Sequence, residues 1–193
     1  MNLNPDLEET ARLEALAQQA QQYALHMMHS TGSVPLTVIA DTVDGFIFGM
    51  PSGMPDEAAK DRVAEVTRLL AIAHGARAIM IVAEAWVRMA VPGKQLDTNS
   101  PPSQSPERQE VVVLMLEGQT RSATGLLPIL REGSGEFREF GQIPALNFTS
   151  TSGRFTGLMP KHPHSAQVVA AAKAALLAMG MQVVNRGFDP SQN

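Results

Sequence analysis

The chain of 193 residues contains no cysteine, one tryptophan and one tyrosine. Without a thiol there is no disulfide framework, no thiolate zinc site and no cysteine nucleophile, a usage compatible with a reducing compartment. Excess basic charge is lacking too, since 15 Lys and Arg face 19 Asp and Glu for a formal net charge of -4. A nucleic-acid backbone and an anionic membrane surface both attract clustered cations, so neither is expected as a main partner. No apolar run reaches bilayer-spanning length, and the N-terminus, MNLNPDLEETARLEALAQQ, is acidic where a signal peptide starts basic. These absences lead to the expectation of a cytoplasmic protein. The phosphate-loop and dinucleotide spacings, the G-x-S-x-G elbow, H-E-x-x-H and S-x-x-K are missing as well, so no cofactor is expected.

What is present fits one α+β domain spanning 1–193, because this length supports one sizeable core and falls short of two ordinary domains. Asn4 as N-cap, Pro5 at the first helical position and acidic Asp6, Glu8 and Glu9 open a helix that Gly32 stops. Its stripe of Leu13, Leu16, Ala17, Ala20, Tyr23, Ala24 and Met27 either covers the domain's own sheet or makes 1–32 an oligomerisation element. Leu36 to Ala40 and Gly45 to Met50 read as a hairpin, with turn chemistry at Asp41 and Asp44-Gly45. A second helix starts at Asp56 and Glu57 and stops at Gly75, burying Val63, Val66, Leu70 and Ala73. His74, in its last turn, suits the dipole as a partly cationic imidazole. The strand that follows this helix completes a strand, helix, strand order compatible with a parallel crossover.

Residues 91–107 hold four prolines and many small polar residues, a composition that predicts a mobile loop. Arg108 to Gly118 then reads as a strand, and later runs broken at Gly118, Gly125, Gly133 and Gly135 predict an antiparallel meander. Pro128 and Pro144 belong on edges or bulges. Ser165 caps a last helix that Gly180 ends, with Val169, Ala172, Leu176 and Met179 on one face. The expected architecture is a mixed or mostly antiparallel sheet with three helices, the second and third covering one side. The first helix completes that layer or pairs between subunits.

Candidate chemistry concentrates on Ile79 to Met89, IMIVAEAWVRM, where alternation places Glu84, Trp86 and Arg88 on one face and Ile79, Ile81 and Ala83 on the core face. If the next strand folds back on it, Arg108 and Glu110 join this patch. Two carboxylates beside an indole can divide acid and base roles, which makes Glu84, Glu110 and Arg108 the catalytic candidates. Cross-strand ion pairs with Trp86 packed over aliphatic stems are the structural alternative. Trp86, Arg88 and Arg154 are the binding candidates, the last within FTSTSGRFTG, whose hydroxyls and backbone N–H groups can hold an anion. His26 with His29, and His162 with His164, have spacings compatible with shared metal ligation, but no metal site is assigned to them.

The arrangement AEAWV, a Pro/Ser-rich loop and then SPERQEVVVL resembles uncharacterised small proteins of bacteria and their phages that share a Glu-Ala-Trp and Pro-Glu-Arg-x-Glu-Val pattern. The resemblance covers about residues 36–117 and implies a bacterial or phage origin and a common way of joining these strands. It transfers no activity. The functional expectation is a non-enzymatic accessory or regulatory module that binds a protein partner. A small hydrolase or lyase using Glu84 or Glu110 with Arg88 or Arg108 is the alternative, and a phage structural or assembly subunit is the third reading.

Overall fold

The computed structural model describes residues 5–88, 101–148 and 153–184. Along them run α1 (Pro5–Thr31), β1 (Thr37–Thr42), β2 (Gly45–Met50), α2 (Glu57–His74), β3 (Ala78–Val87), β4 (Gln109–Glu117), β5 (Ser122–Arg131), β6 (Phe137–Phe140), α3 (Ala166–Ala178) and β7 (Gln182–Val184). The strands form one sheet in the order β6-β5-β4-β3-β1-β2-β7. Every neighbouring pair is antiparallel. The chain is a single α+β domain, as its pattern predicts.

The helices begin and end where local chemistry directs. Asp56 caps α2 by accepting from the Ala59 N–H at 2.6 Å, and Gly75 closes it in the left-handed conformation at φ 59. Ser165 caps α3 by accepting from the Val168 N–H at 3.4 Å. The expected cap of α1, Asn4, lies outside the described residues.

Helix placement corrects one expectation. α1 does not join the layer of α2 and α3: it covers the opposite face of the sheet. Leu13, Leu16, Ala20 and Met28 pack with Ile39, Met80, Val82, Val112, Leu114 and Leu127. On the other face, Val63, Leu70, Ala172 and Leu176 pack with Val38, Ile47, Ile79 and Ile81. Both faces of β3 are therefore core along its first half, and the odd positions are not its only buried set. β1 is buried at all six positions for the same reason. β2, α2 and β3 form the parallel crossover that the order allows, since β2 and β3 run in the same direction in one sheet, with β1 between them and antiparallel to both.

Two further corrections concern punctuation. Asp41 is not a turn residue: it sits inside β1, where the Arg77 guanidinium donates to it at 2.8 Å and Arg12 approaches at 3.5 Å. The turn is Val43-Asp44, followed by Gly45 at φ 110. Gly125 and Pro128 do not break β5, which runs unbroken between β4 and β6. Pro128 lies in an inner strand opposite Val111, with its carbonyl accepting from the Gly141 N–H at 2.8 Å. Its missing donor falls just short of the β6 pairing, which spans Ile129 to Arg131. Pro144 lies outside the strands.

Polar latches fix both ends of α1. Near its start, the buried Glu9 accepts from the Thr120 N–H at 2.9 Å and the Arg121 N–H at 3.3 Å, and also from the Thr120 hydroxyl. Burial opposes the charge on Glu9, but these bonds outweigh it and hold the carboxyl below its ordinary pKa. An added Cβ at Gly118 would overlap that carboxylate, so a side chain there would displace Glu9 from the β4–β5 turn. In mid-helix, the Tyr23 and Thr37 hydroxyls bond at 2.9 Å.

Candidate functional site

The polar end of β3 begins where α1 stops covering the sheet. Positions Ala78 to Ala83 are buried, whereas Glu84, Ala85 and Val87 are half-buried and Trp86 is 42% exposed. Glu84 accepts from the Val34 N–H at 2.6 Å, which fastens the chain between α1 and β1. The hairpin register places Trp86 opposite Glu110 and Glu84 opposite Val112. Arg108 lies over the indole, with its guanidinium carbon 4.7 Å from the ring centroid, and donates to the Ser103 carbonyl at 2.6 Å. Thus Glu84, Trp86, Arg108 and Glu110 share one end of the sheet, as the sequence predicts. Arg88 is half-buried beside them.

The guanidinium that governs the patch is one that sequence reasoning missed. Arg131, at the end of β5, donates to both Glu110 oxygens at 2.7 Å in a bidentate fork. The fork with Glu110, aided by the charge of Glu84, pushes the Arg131 pKa further up. Arg131 also reaches the Gly135 carbonyl at 3.3 Å and the Gly32 carbonyl at 3.5 Å. Alternation could have found it, because Leu127, Ile129 and Arg131 share the strand face that packs beneath α1. Chemically, both oxygens of Glu110 are committed to the Arg131 guanidinium, and Glu84 is engaged by the Val34 backbone N–H. The arrangement acts as the second latch of α1. Among the described residues, none of four surface cavities has Glu84, Trp86 or Glu110 in its walls.

The remaining candidates scatter. Arg154 joins Glu57 at 2.6 Å and Asp61 at 2.7 Å, so its charge ties its loop to the first turns of α2. Residues 149–152 of the hydroxyl-rich stretch lie outside the described residues, as does most of the 91–107 loop; Pro102–Gln104 form a single 3-10 turn. His29 packs edge-on against Phe137 at 5.2 Å, beneath the end of α1, whereas His162 and His164 line a cleft beside α2. The two histidine pairs therefore occupy different sides of the sheet. Among the described residues no group of three or more His, Cys, Asp or Glu is placed to hold a metal ion. Nor, among them, is any helix long and apolar enough to cross a membrane.

The surface feature that sequence reasoning missed is α3. Of its 13 residues only Ala172 and Leu176 are buried, yet Lys173 is its only charged side chain. Leu177 is 78% exposed, and Val168 and the neighbouring Met179 are exposed as well. Ala170, Ala171, Ala174 and Ala178 fill the rest of the outer surface. The signal was present in AQVVAAAKAALLA, whose apolar residues surround the helix instead of keeping to one stripe. Compared with protein-family models, curated proteins and solved structures, the chain shows no significant match.

Proposed function

We propose that this protein is a non-enzymatic accessory or regulatory module that works by protein contact, with the outer face of α3 as the contact surface. The observation that carries this reading is the unbalanced burial of α3, two buried residues in a helix of 13 with one charge. A helix apolar around its circumference is ordinarily enclosed, and a contiguous exposed apolar patch marks an interaction surface. The alanines permit close backbone approach, while Leu177 and Val168 supply knobs for a partner's grooves. The partner is a protein with a complementary apolar helix or groove, and the Glu-Ala-Trp and Pro-Glu-Arg-x-Glu-Val resemblance directs the search to bacteria and their phages.

The test compares the wild-type chain with an Ala174→Glu, Leu177→Glu variant in capture from bacterial lysate and in sedimentation velocity. The wild type is expected to retain a partner that the variant loses at unchanged fold. Identical captures from both would remove α3 as the contact surface. Concentration-dependent self-association that only the variant abolishes would support the reading as an assembling subunit, for which the alanine-rich surface is also suited.

A further inference from the structure

Three of the five histidines and two of the four lysines of this acidic chain surround one cleft. His74 enters from the last turn of α2, Lys161, His162 and His164 from the segment leading into α3, and Lys173 from α3 itself. The cleft has a volume of 710 Å³, within the range of about 300 to 1,000 Å³ typical of small-molecule sites. Phe46, Ile47 and Val169 contribute apolar wall. Among the described residues, Asp44 in the β1–β2 turn is the one carboxylate in the cleft's lining.

The charge here is unspent. Arg12, Arg77, Arg131 and Arg154 each face a carboxylate elsewhere in the fold, whereas none of the five cleft residues makes an ion pair among the described residues. Within this wall the Lys173 charge acts on His74. Burial lowers the His74 pKa and the Lys173 charge lowers it further, against the sequence expectation of a partly cationic imidazole at a helix end. A bound anion would reverse the second of these effects. Two lysine cations around one hollow suit a dianion, with the lysines acting as point charges and the imidazoles as N–H donors.

We propose that the cleft between α2 and α3 binds a phosphorylated small molecule with an apolar body. Lys161 and Lys173 hold the phosphate together with the flanking histidines, and the body lies against Phe46, Ile47 and Val169. This site is separate from the outer face of α3, and its test does not depend on any protein partner.

Phenyl phosphate is the probe, titrated into the full chain by calorimetry at low salt. Saturable binding is expected, weakened at least about tenfold by the Lys161→Gln, Lys173→Gln double substitution, as the loss of charge-assisted hydrogen bonds predicts. Inorganic phosphate should bind several-fold more weakly than phenyl phosphate, because the apolar wall is then unused. Asp44→Asn should tighten binding by removing an opposing charge from the lining. No saturable heat with the wild type, equal affinity in the folded double variant, or benzoate binding as tightly as phenyl phosphate would each overturn the proposal. An affinity unchanged in Asp44→Asn would also count against it and needs no lysine variant to fold.

Discussion

α1 and α3 are both rich in alanine, and they use it in opposite ways. α1 gathers most of its large apolar residues into one stripe, and that stripe is enclosed: Leu13, Leu16, Ala20 and Ala24 have no exposed surface, whereas Leu7 and Leu25 lie outside it. α3 spreads apolar residues around its circumference and encloses two of them. α1 is also latched at both ends, by Glu9 on the β4–β5 turn and by the Glu84, Glu110 and Arg131 group where it meets β1. α3, by contrast, is held at its ends by the Ser165 cap, whose hydroxyl and carbonyl accept from the Val168 and Val169 N–H groups, and by the helix-end bonds of Met179, Gly180 and Met181. A stripe that matches its cover accounts for stability alone, and a helix with more apolar surface than cover has surface left for contacts.

The sharpest way to break this comparison is to cut into each helix in turn. Leu16→Ala removes a fully enclosed side chain between α1 and the sheet and should cost about 2 to 5 kcal/mol in chemical denaturation. Leu177→Ala on α3 should change stability by no more than about 0.5 kcal/mol. Equal losses would mean that α3 is as deeply integrated as α1, and the distinction would fall.

The latches come next in size. Arg131→Met leaves the half-buried Glu110 without its fork and strips a donor from the Gly32 and Gly135 carbonyls. A loss of about 1 to 3 kcal/mol is expected, the range for removing one partner of a charged hydrogen bond. The register between β3 and β4 makes Trp86 fluorescence a convenient monitor, since the indole sits opposite Glu110. A variant as stable as wild type would show that solvent satisfies Glu110 equally well and that the fork is not a latch.

Glu9→Gln should cost about 1 kcal/mol near neutral pH, and the loss should depend on pH with a definite sign. Burial works against the carboxylate, but the Thr120 and Arg121 donors prevail and depress its folded pKa below the ordinary 4.5. The wild-type advantage is therefore fully present above pH 4.5 and fades as pH falls through the lowered value. Urea midpoints of the two proteins should converge under acid. A difference that stays constant with pH would assign the loss to packing instead of charge.

How far these features could be read in advance differs between the helices and the sheet. The helix signals were local, so Asp56, Gly75, Ser165 and the α1 stripe were legible from spacing alone. The side of the sheet that α1 covers was not, because both parities of β3 are apolar through Ala83 and alternation cannot select a face when both are buried. Asp41 looked like a turn residue because its stabilising partner, Arg77, is 36 positions away. Arg131 is likewise 21 positions beyond Glu110: alternation puts it on the face beneath α1, but its pairing with Glu110 follows from the meander register. The Glu84, Trp86, Arg108 and Glu110 grouping was found because a single hairpin brings it together. Long-range polar partners are what one chain's pattern conceals.

The smallest expected change in stability carries the most information about α3. Leu177→Glu places a carboxylate where the side chain is already 78% exposed, so its desolvation cost is slight and the melting temperature should barely move. Against a partner the same carboxylate meets apolar surface and must either be dehydrated or hold the surfaces apart. Binding should therefore weaken by about tenfold or more while folding is untouched, as a charge buried without a counter-ion requires. Lys173 adds a control on the same helix, since it faces the cleft beside α2: Lys173→Gln should leave partner capture unchanged while altering phenyl phosphate binding. If Leu177→Glu and Lys173→Gln lowered capture alike, the contact surface would have to extend around α3 into the cleft, and the separation of the two sites would be lost.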